Sequence, residues 1–528
     1  VIRIPVIEAA QAAQWDERAR MTAKIPSRVL MESAGRGVAW VVGRELGVGP
    51  RSGGGVIVAC GHGNNGGDGW VVARAVKATG IRVWAVDAGG KRSPDCAANR
   101  ALALASGVEL LDPDEPWPEA DVAVDALLGT GATGAPRGAI ATLAARLAKQ
   151  AAPVVAVDGP TGLDLSTGEA HGPVRAAVTA TFGGVRRGHL LAREWCGRIV
   201  VLDIGFPPPD MAWPRLVTDA LAASLLPGFA PEMHKGDRGR VVVIGGQEGM
   251  AGAALHAASS ALEAGAGLVK LAAQEATVAA AQAALPDALT VTTALGPRPE
   301  DALVEAIGWA DALVIGPGMG RGPDRTALVH AVLDATDRPV VIDADALHIG
   351  LEHLAHGPSP RVLTPHAGEF RAAFPKLGKQ LEEDRFAAAS AAAGLVAGPA
   401  SPRPKPGVRV VPRAAVLLKG VPTIVAGHGS ASYVVAAGNP ALATGGSGDL
   451  LAGFIGAFLA RGAPPADAAA LGAQVLGRAA EIAAAQLTVR STRPADVLAA
   501  LPELWRRWVN VPLPTPPVLL EIDAPTTT

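Results

Sequence analysis

The sequence is poor in cysteine, with three in 528 residues. Cys60, Cys96 and Cys196 stand far apart and are odd in number, so they supply neither a zinc-ligand spacing nor a disulfide framework. A reducing compartment, the cytoplasm, is the expectation. No run of about 20 uninterrupted apolar residues occurs, which argues against a membrane-spanning helix. The opening residues, VIRIPVIEAAQ, lack the core of a signal peptide. Charge is also sparse: 18% of residues are charged and the net charge is −2. That balance offers no basic field for nucleic acid and none for an anionic membrane surface. What is plentiful is apolar material, at 49% of the chain. It supports large buried cores and excludes global disorder, and the length allows two or more domains.

The first half alternates helical and strand patterns. Helices are expected over Glu8 to Arg20 and Leu30 to Leu46. The apolar strand Val56–Cys60 then runs into Gly61-His-Gly-Asn-Asn-Gly-Gly-Asp-Gly69 and a helix from Trp70 to Thr79. Strand, Gly-rich turn and helix together predict the ligand-binding corner of a doubly wound α/β domain. The turn is not a dinucleotide fingerprint, because two amides and a carboxylate occupy it. Further strands are expected at Arg82–Val86, Val122–Leu127, Val154–Val157 and Ile199–Asp203. Two of their ends are polar: Asp125 precedes Leu-Leu-Gly-Thr-Gly131, and Asp158 begins Asp-Gly-Pro-Thr-Gly-Leu-Asp164. Ligands of open α/β sheets sit beyond the carboxyl ends of strands, so Asn65, Asp125, Asp158 and Thr161 are candidates to converge. Their oxygens suit an alkali or alkaline-earth cation. Each aspartate alone is equally well read as a cap on its following turn.

Prolines from Pro207 to Pro231 mark a connection. A second series of strands follows. Val241–Ile244 leads into Gly245-Gly-Gln-Glu-Gly-Met-Ala-Gly252, and Leu313-Val-Ile leads into Gly316-Pro-Gly-Met-Gly320. Val340-Val-Ile ends in Asp343 and Asp345, Val362-Leu-Thr-Pro presents His366 and Glu369, and Ala415–Lys419 is followed by Gly-Val-Pro-Thr423. Between Ala393 and Pro412 the proline density argues against a regular helix and predicts an exposed insertion. Helices are expected at Ala466–Gln486 and Pro494–Trp508. Beyond Val511 lies a tail whose run Val518–Ile522 is open to pairing as an edge strand.

The densest signal is Gly438-Asn-Pro-Ala-Leu-Ala-Thr-Gly-Gly-Ser-Gly-Asp-Leu-Leu-Ala-Gly453. Four glycines precede Asp449 in it, and Leu450, Leu451, Phe454, Ile455, Phe458 and Leu459 follow at helical spacing. The turn therefore predicts a helix N-terminus, where free N–H groups and the dipole favour an anion. Asp449 reads either as a base beside that anion or as a helix cap.

These motifs carry a resemblance. LMESAGR, GHGNNGGDG, DALLGTG and DGPTGLD are similar to the YjeF N-terminal fold. HKGDRGRVVVIGG, GPGMG, DADAL, LTPHAGEF, LLKG and GNPALATGGSGDLLAG are similar to the ribokinase-like dehydratase. In this order the chain resembles the bifunctional NAD(P)H-hydrate repair family. The resemblance implies an α/β protein: a Rossmann-like doubly wound epimerase domain over 1–225, a ribokinase-like dehydratase domain over 226–510, and a tail over 511–528. It further implies that the first domain interconverts the R and S epimers of NAD(P)H hydrate. The second would dehydrate the S form using ADP as co-substrate. K+ is implied for the first domain and Mg2+ for the second, in a homo-oligomer without nucleic-acid or membrane partners.

Matched residue by residue, the resemblance implies that epimerase substrate is bound by Asn64, Asn65, Gly66, Gly67 and Asp68, by Gly129, Thr130, Gly131, Ala132, Thr133, Gly134 and Ala135, and by Asp158. Asn65, Asp125 and Thr161 match the potassium site. Dehydratase substrate would meet Ala253, Gly320, His366 and Asp449. The nucleotide would meet Lys419, Gly420, Val421, Pro422, Thr423 and Gly448. Asp449 and Asp158 are the expected catalytic residues. Gly159 and Thr161 depart from the family's usual Ile and Ser, and Ser33 replaces an amide. The family's lysine near the segment TFGGVRRGH is Arg186 or Arg187 here, which leaves the epimerase's proton-transfer partner open. Two other readings stand beside this one: a small-molecule kinase of the same fold, and a first domain that only binds.

Overall fold

The structure, a computed structural model, describes residues 2–47, 54–355, 359–397 and 414–525. It divides into two compact units, Ile2–Pro214 with Leu513–Pro525, and Arg215–Pro512.

In the first unit the short strand β1 (Val6–Ile7) precedes β2 (Val56–Cys60), β3 (Val83–Asp87), β4 (Glu109–Leu111), β5 (Val122–Ala126), β6 (Val154–Val157), β7 (Val178–Phe182), β8 (Val185–Arg186) and β9 (Arg198–Leu202). β1 and β8 pair in parallel as a separate ribbon. The main sheet runs β9-β7-β6-β5-β2-β3-β4, all parallel. β2 and β5 are buried along their whole length, as their near-continuous Val/Ala runs require of strands covered on both faces. Chain direction across the sheet reverses between β2 and β5. Their ends crowd together there, and a Cβ at Gly61 would collide with the Leu127 carbonyl oxygen.

The second unit contributes β10 (Arg215–Leu216), β11 (Arg240–Ile244), β12 (Leu268–Ala273), β13 (Leu289–Thr292), β14 (Ala312–Ile315), β15 (Val340–Ile342), β16 (Arg361–Leu363), β17 (Ala414–Leu418), β18 (Thr423–Gly427) and β19 (Tyr433–Val435). They form one sheet in the order β10-β19-β18-β17-β16-β15-β14-β11-β12-β13. From β13 to β17 every pairing is parallel, and β18 runs antiparallel to both neighbours. The switch point lies between β11 and β14, where Gly245 is pressed against the Pro317 carbonyl as Gly61 is in the first unit. Helices Ala251–Glu263, Ser447–Ala460 and Pro465–Leu487 bury their apolar faces in the core on one side of this sheet.

The last strand, β20 (Val518–Ile522), returns to the first unit and pairs antiparallel with β9. The first unit is thus made of two separate stretches of chain. Four expectations change. The units divide at Pro214–Arg215 rather than at 225, because β10 belongs to the second sheet. The stretch beyond 511 is not only a tail, since β20 completes the first sheet. The helix Arg385–Ala397 continues through the start of the expected insertion, whose remainder, 398–413, lies outside the described residues. The expected helix from Pro494 to Trp508 is two, Pro494–Ala499 and Leu501–Val509. Among the described residues no helix is long and apolar enough to cross a membrane.

Candidate active sites

In the first unit the helix after β2 begins at Asn64, so Asn64, Asn65, Gly66, Gly67 and Asp68 form its first turns rather than a preceding loop. Gly66 is a steric necessity, because a Cβ there would strike the Gly61 carbonyl, whereas one at Gly67 would meet the end of the Met31 side chain. The Asn65 amide lies against Gly129 at the turn after β5, and its Nδ2 is buried without a hydrogen-bond partner. Asn64 Oδ1 accepts from Ser93 Oγ at 2.8 Å.

Asp125 is fully buried at the end of β5. It accepts from the Thr161 amide at 2.8 Å, from Thr161 Oγ1 at 2.7 Å and from the Leu127 amide at 3.2 Å. Burial pushes its pKa up in spite of these bonds, which pull it down. Thr161 Oγ1 in turn accepts from the Leu128 amide at 3.0 Å. Asp125 therefore does more than cap its own turn, because it joins the ends of β5 and β6.

Asp158 follows β6 with a left-handed backbone, φ 64°. Its Oδ2 accepts from the Thr130 amide at 2.9 Å and from the Thr130 hydroxyl. Its Oδ1 accepts from Thr181 Oγ1 and from Arg186 Nη2, each at 3.2 Å. Burial alone would raise its pKa, but Arg186 and the Thr130 bonds outweigh it and hold the carboxylate below its usual range. Asp68 goes the other way: burial, then repulsion from Asp158 and Asp16, raises it well above the ordinary value. Two carboxyls of opposite protonation tendency thus occupy one site. Of the candidates for the family's lysine, Arg186 faces Asp158, whereas Arg187 pairs with Glu8. Gly129 and Thr130 belong to this cluster. Gly131, Thr133, Gly134 and Ala135 are exposed, and Ala132 makes only a turn bond to Gly129.

In the second unit the segments after β15, β16 and β17 bring Asp343, Asp345, Glu369 and Lys419 within electrostatic reach of the first turn of the helix Ser447–Ala460. Gly446 caps that helix in a left-handed conformation, φ 97°, with no room for a side chain beside His256 and Pro494. Asp449 is in the first turn and caps nothing. Burial, then the charge of Asp343, pushes its pKa up to about 7, with Lys419 opposing and Asp345 and Glu369 adding to the rise. Lys419 Nζ lies 3.2 Å from Asp343 Oδ1 and 3.4 Å from Glu369 Oε2. Burial works against its charge, but the two carboxylates prevail and its pKa is raised. Gly448 faces the same ammonium, which stands 3.5 Å from where a Cβ would be.

Gly320 donates its amide to Asp345 Oδ2 at 2.9 Å, and Ala253 borders the neighbouring Gly318. His366 is the N-cap of the helix Ala367–Ala373: its Nδ1 accepts from the Gly368 amide at 2.9 Å and the Glu369 amide at 3.2 Å. That arrangement makes Nε2 the protonated nitrogen. Thr423 Oγ1 donates to the Gly420 carbonyl at 3.0 Å, while Val421 is 76% exposed. Arg385 supports this loop by donating to the Lys419 and Val421 carbonyls at 3.3 and 3.1 Å. The sequence marks Asp343, Asp345 and Glu369 as strand-end carboxylates without giving them a role, and it assigns none to Arg385 or His189. His189 ends the segment TFGGVRRGH, whereas Arg385 carries no local signal.

A profile of the YjeF-related protein N-terminus matches residues 27–188, and one of NAD(P)H-hydrate dehydratase matches 241–398 and 410–503. The chain is 36% identical over 458 residues to the bifunctional NAD(P)H-hydrate repair enzyme Nnr of Escherichia coli, covering 84% of each. To the enzyme of the same name from Moorella thermoacetica it is 35% identical over 530 residues, covering 95% of this chain and 96% of the other. Among solved structures, the ADP/ATP-dependent NAD(P)H-hydrate dehydratase from Bacillus subtilis, co-crystallized with ATP/Mg2+, is 26% identical. It covers 57% of this chain and 100% of its own at a TM-score of 0.48.

Proposed function

This chain belongs to the family of bifunctional NAD(P)H-hydrate repair enzymes, and from that premise we propose that its two units divide the repair between them. Residues 2–214 with 513–525 interconvert the R and S epimers of NAD(P)H hydrate. Residues 215–512 dehydrate the S epimer to NAD(P)H with ADP. The reaction takes place in the cytoplasm.

The observation that carries the dehydratase reading is Asp449 held near neutrality in the first turn of a glycine-capped helix, beside Lys419. A base with a pKa close to working pH is best placed to take a proton from the C6 hydroxyl. That oxygen then attacks the terminal phosphoryl group of ADP, giving AMP and a phosphate ester. Loss of phosphate from C6 and of a proton from C5 restores the ring double bond. The amides of Ser447 and Gly448 and the Lys419 ammonium stabilise charge on the transferring group. Gly320, His366 and Ala253 line the side where the hydrate binds, and Lys419 to Thr423 with Gly448 hold the nucleotide. Among the described residues no group of three or more Asp, Glu, His or Cys side chains is arranged to hold a metal ion, so Mg2+ would be held chiefly by the nucleotide's own phosphates, whose charge it would neutralise.

In the epimerase unit, Asp158 is ionised and Asp68 is biased toward its neutral form, which suits them to exchange protons with the hydrate. The oxygens of Asn65, Asp125 and Thr161 suit K+, a cation that when bound supplies fixed positive charge beside the hydrate. Asn65 Nδ2, buried and unpartnered, is available to the substrate's polar groups.

The test is to give purified protein an equilibrated mixture of hydrated NADH epimers with ADP and follow absorbance near 340 nm, with chromatography of both epimers. Complete consumption of the mixture is expected. Recovery near 340 nm from the S form only would remove the epimerase assignment. Transfer of phosphate to a vitamin or sugar, with no recovery, would favour a small-molecule kinase.

A further inference from the structure

Asp158 sits in a backbone conformation that side chains seldom adopt, and the structure shows what keeps it there. Its own N–H donates to the Ala180 carbonyl at 2.8 Å. Its carbonyl oxygen lies 2.8 Å from Nε2 of His189, a fully buried ring. The other ring nitrogen, Nδ1, accepts from the Arg186 amide at 3.2 Å. Because a backbone N–H can only donate, Nδ1 carries no proton, and Nε2 carries the proton directed at Asp158. One neutral ring therefore fixes two backbones at once. One bears the Asp158 carboxylate. The other bears the Arg186 guanidinium, which reaches Asp158 Oδ1 and also donates to Thr130 Oγ1 at 3.0 Å.

We propose that His189 is a positioning residue for epimerisation, clamping Asp158 in its left-handed conformation and fixing Arg186 against it, so that carboxylate and guanidinium meet the substrate as one unit. The inference rests on the epimerase reading given above. It explains why an imidazole is used here: a ring with one donor and one acceptor on opposite sides spans a carbonyl and an amide, and protonation would set two donors face to face at Arg186. Burial, with Arg186 and Arg193 nearby, keeps the ring neutral by lowering its pKa to about 4, although Asp158 pulls the other way.

The test uses the full chain. His189→Ala should lower kcat for epimerisation by roughly 10²-fold, the order expected when a reacting group is misplaced by about an ångström, with a smaller change in KM. His189→Gln, whose amide can still donate toward Asp158, should recover most of that loss. Both variants should dehydrate the S epimer as the wild type does, and a cooperative melting transition of the first unit close to the wild-type one shows that the unit carrying His189 has folded. In parallel, ¹⁵N NMR of histidine-labelled wild type, assigned by loss of signals in His189→Ala, should show a neutral ring protonated on Nε2 at pH 7. Wild-type epimerisation by His189→Ala, equal loss in the Ala and Gln variants, or a ring protonated on Nδ1 would each overturn the inference. A wild type with no epimerase activity would instead refute the functional reading, and the NMR result would still decide whether the clamp exists.

Discussion

Lys419 Nζ lies 3.2 Å from Asp343 Oδ1, reaching across β16, the strand that separates their own two in the sheet. Glu369, from the helix after β16, closes the other side of the ammonium. One cation therefore serves two carboxylates. Asp449, nearby, is first desolvated by burial and then left with more repulsion than attraction, and its proton affinity rises on both counts.

Removing part of that repulsion should move the pH dependence of dehydration. Asp343→Asn keeps the shape and the contact with Thr364 but deletes a negative charge. With less repulsion the ionised form of Asp449 is favoured and its pKa falls from about 7. The acid limb of kcat/KM for dehydration should therefore shift to lower pH. An unmoved limb would separate Asp449 from that limb and assign it to another group.

The buried network at Asp125 predicts a different pattern. Asp125→Ala strands the Thr161 and Leu127 amides without their acceptor. Each unsatisfied buried donor costs about 1–3 kcal/mol, so the first unit should melt at a lower temperature. Epimerisation should be lost along with retention of K+, while dehydration of the S epimer continues. Normal epimerisation in this variant would dismiss the cation assignment.

Much of this was legible in the sequence because parallel strands covered on both faces are apolar along most of their length, and Val56–Cys60, Val122–Val124 and Val340–Ile342 are. β7 was not legible: Thr179 and Thr181 make its sequence look half polar, yet both are fully buried. Thr179 donates to the Cys196 carbonyl at 2.7 Å and Thr181 to Asp158. Of the Asp158 cluster, Asp158, Thr130 and Arg186 or Arg187 were named in the sequence, but their meeting with Thr181 and His189 was not. The Asp158 partners Thr130, Thr181, Arg186 and His189 are assembled by strand order and not by spacing along the chain. The run Val518–Ile522 could be seen as a strand, but nothing local points to a partner more than 300 residues earlier.

That distant pairing has a measurable consequence. Ending the chain at Pro512 removes β20, leaves β9 as an open edge and deletes the ion pair of Glu521 with Arg44. Thermal unfolding should show the first unit melting earlier, with epimerisation more heat-sensitive and dehydration unaffected. The matching fragment 215–512, which keeps β10 with its own sheet, should dehydrate the S epimer alone. Heat sensitivity of epimerisation unchanged by the truncation would mean that β20 contributes nothing to the unit it completes.

Asp449 offers the most direct test of the chemistry. Asp449→Asn preserves size but cannot accept the hydroxyl proton, and general-base catalysis contributes about 10²–10⁴-fold. Dehydration kcat should fall by that order, while nucleotide affinity measured by calorimetry changes little. Gly448→Ala should do the reverse, placing a methyl beside Lys419 where phosphate must approach, so that nucleotide binding itself weakens. Stability supplies an independent check. Because the folded pKa of Asp449 is raised to about 7, ionising it penalises the native state. The penalty is absent below the unfolded value of about 4 and complete above pH 7. Asp449→Asn should therefore melt with the wild type in acid and at increasingly higher temperature than the wild type as pH rises to 7. Near-normal turnover with no such divergence would leave Asp449 as an ordinary first-turn carboxylate, favoured there by the helix dipole and nothing more.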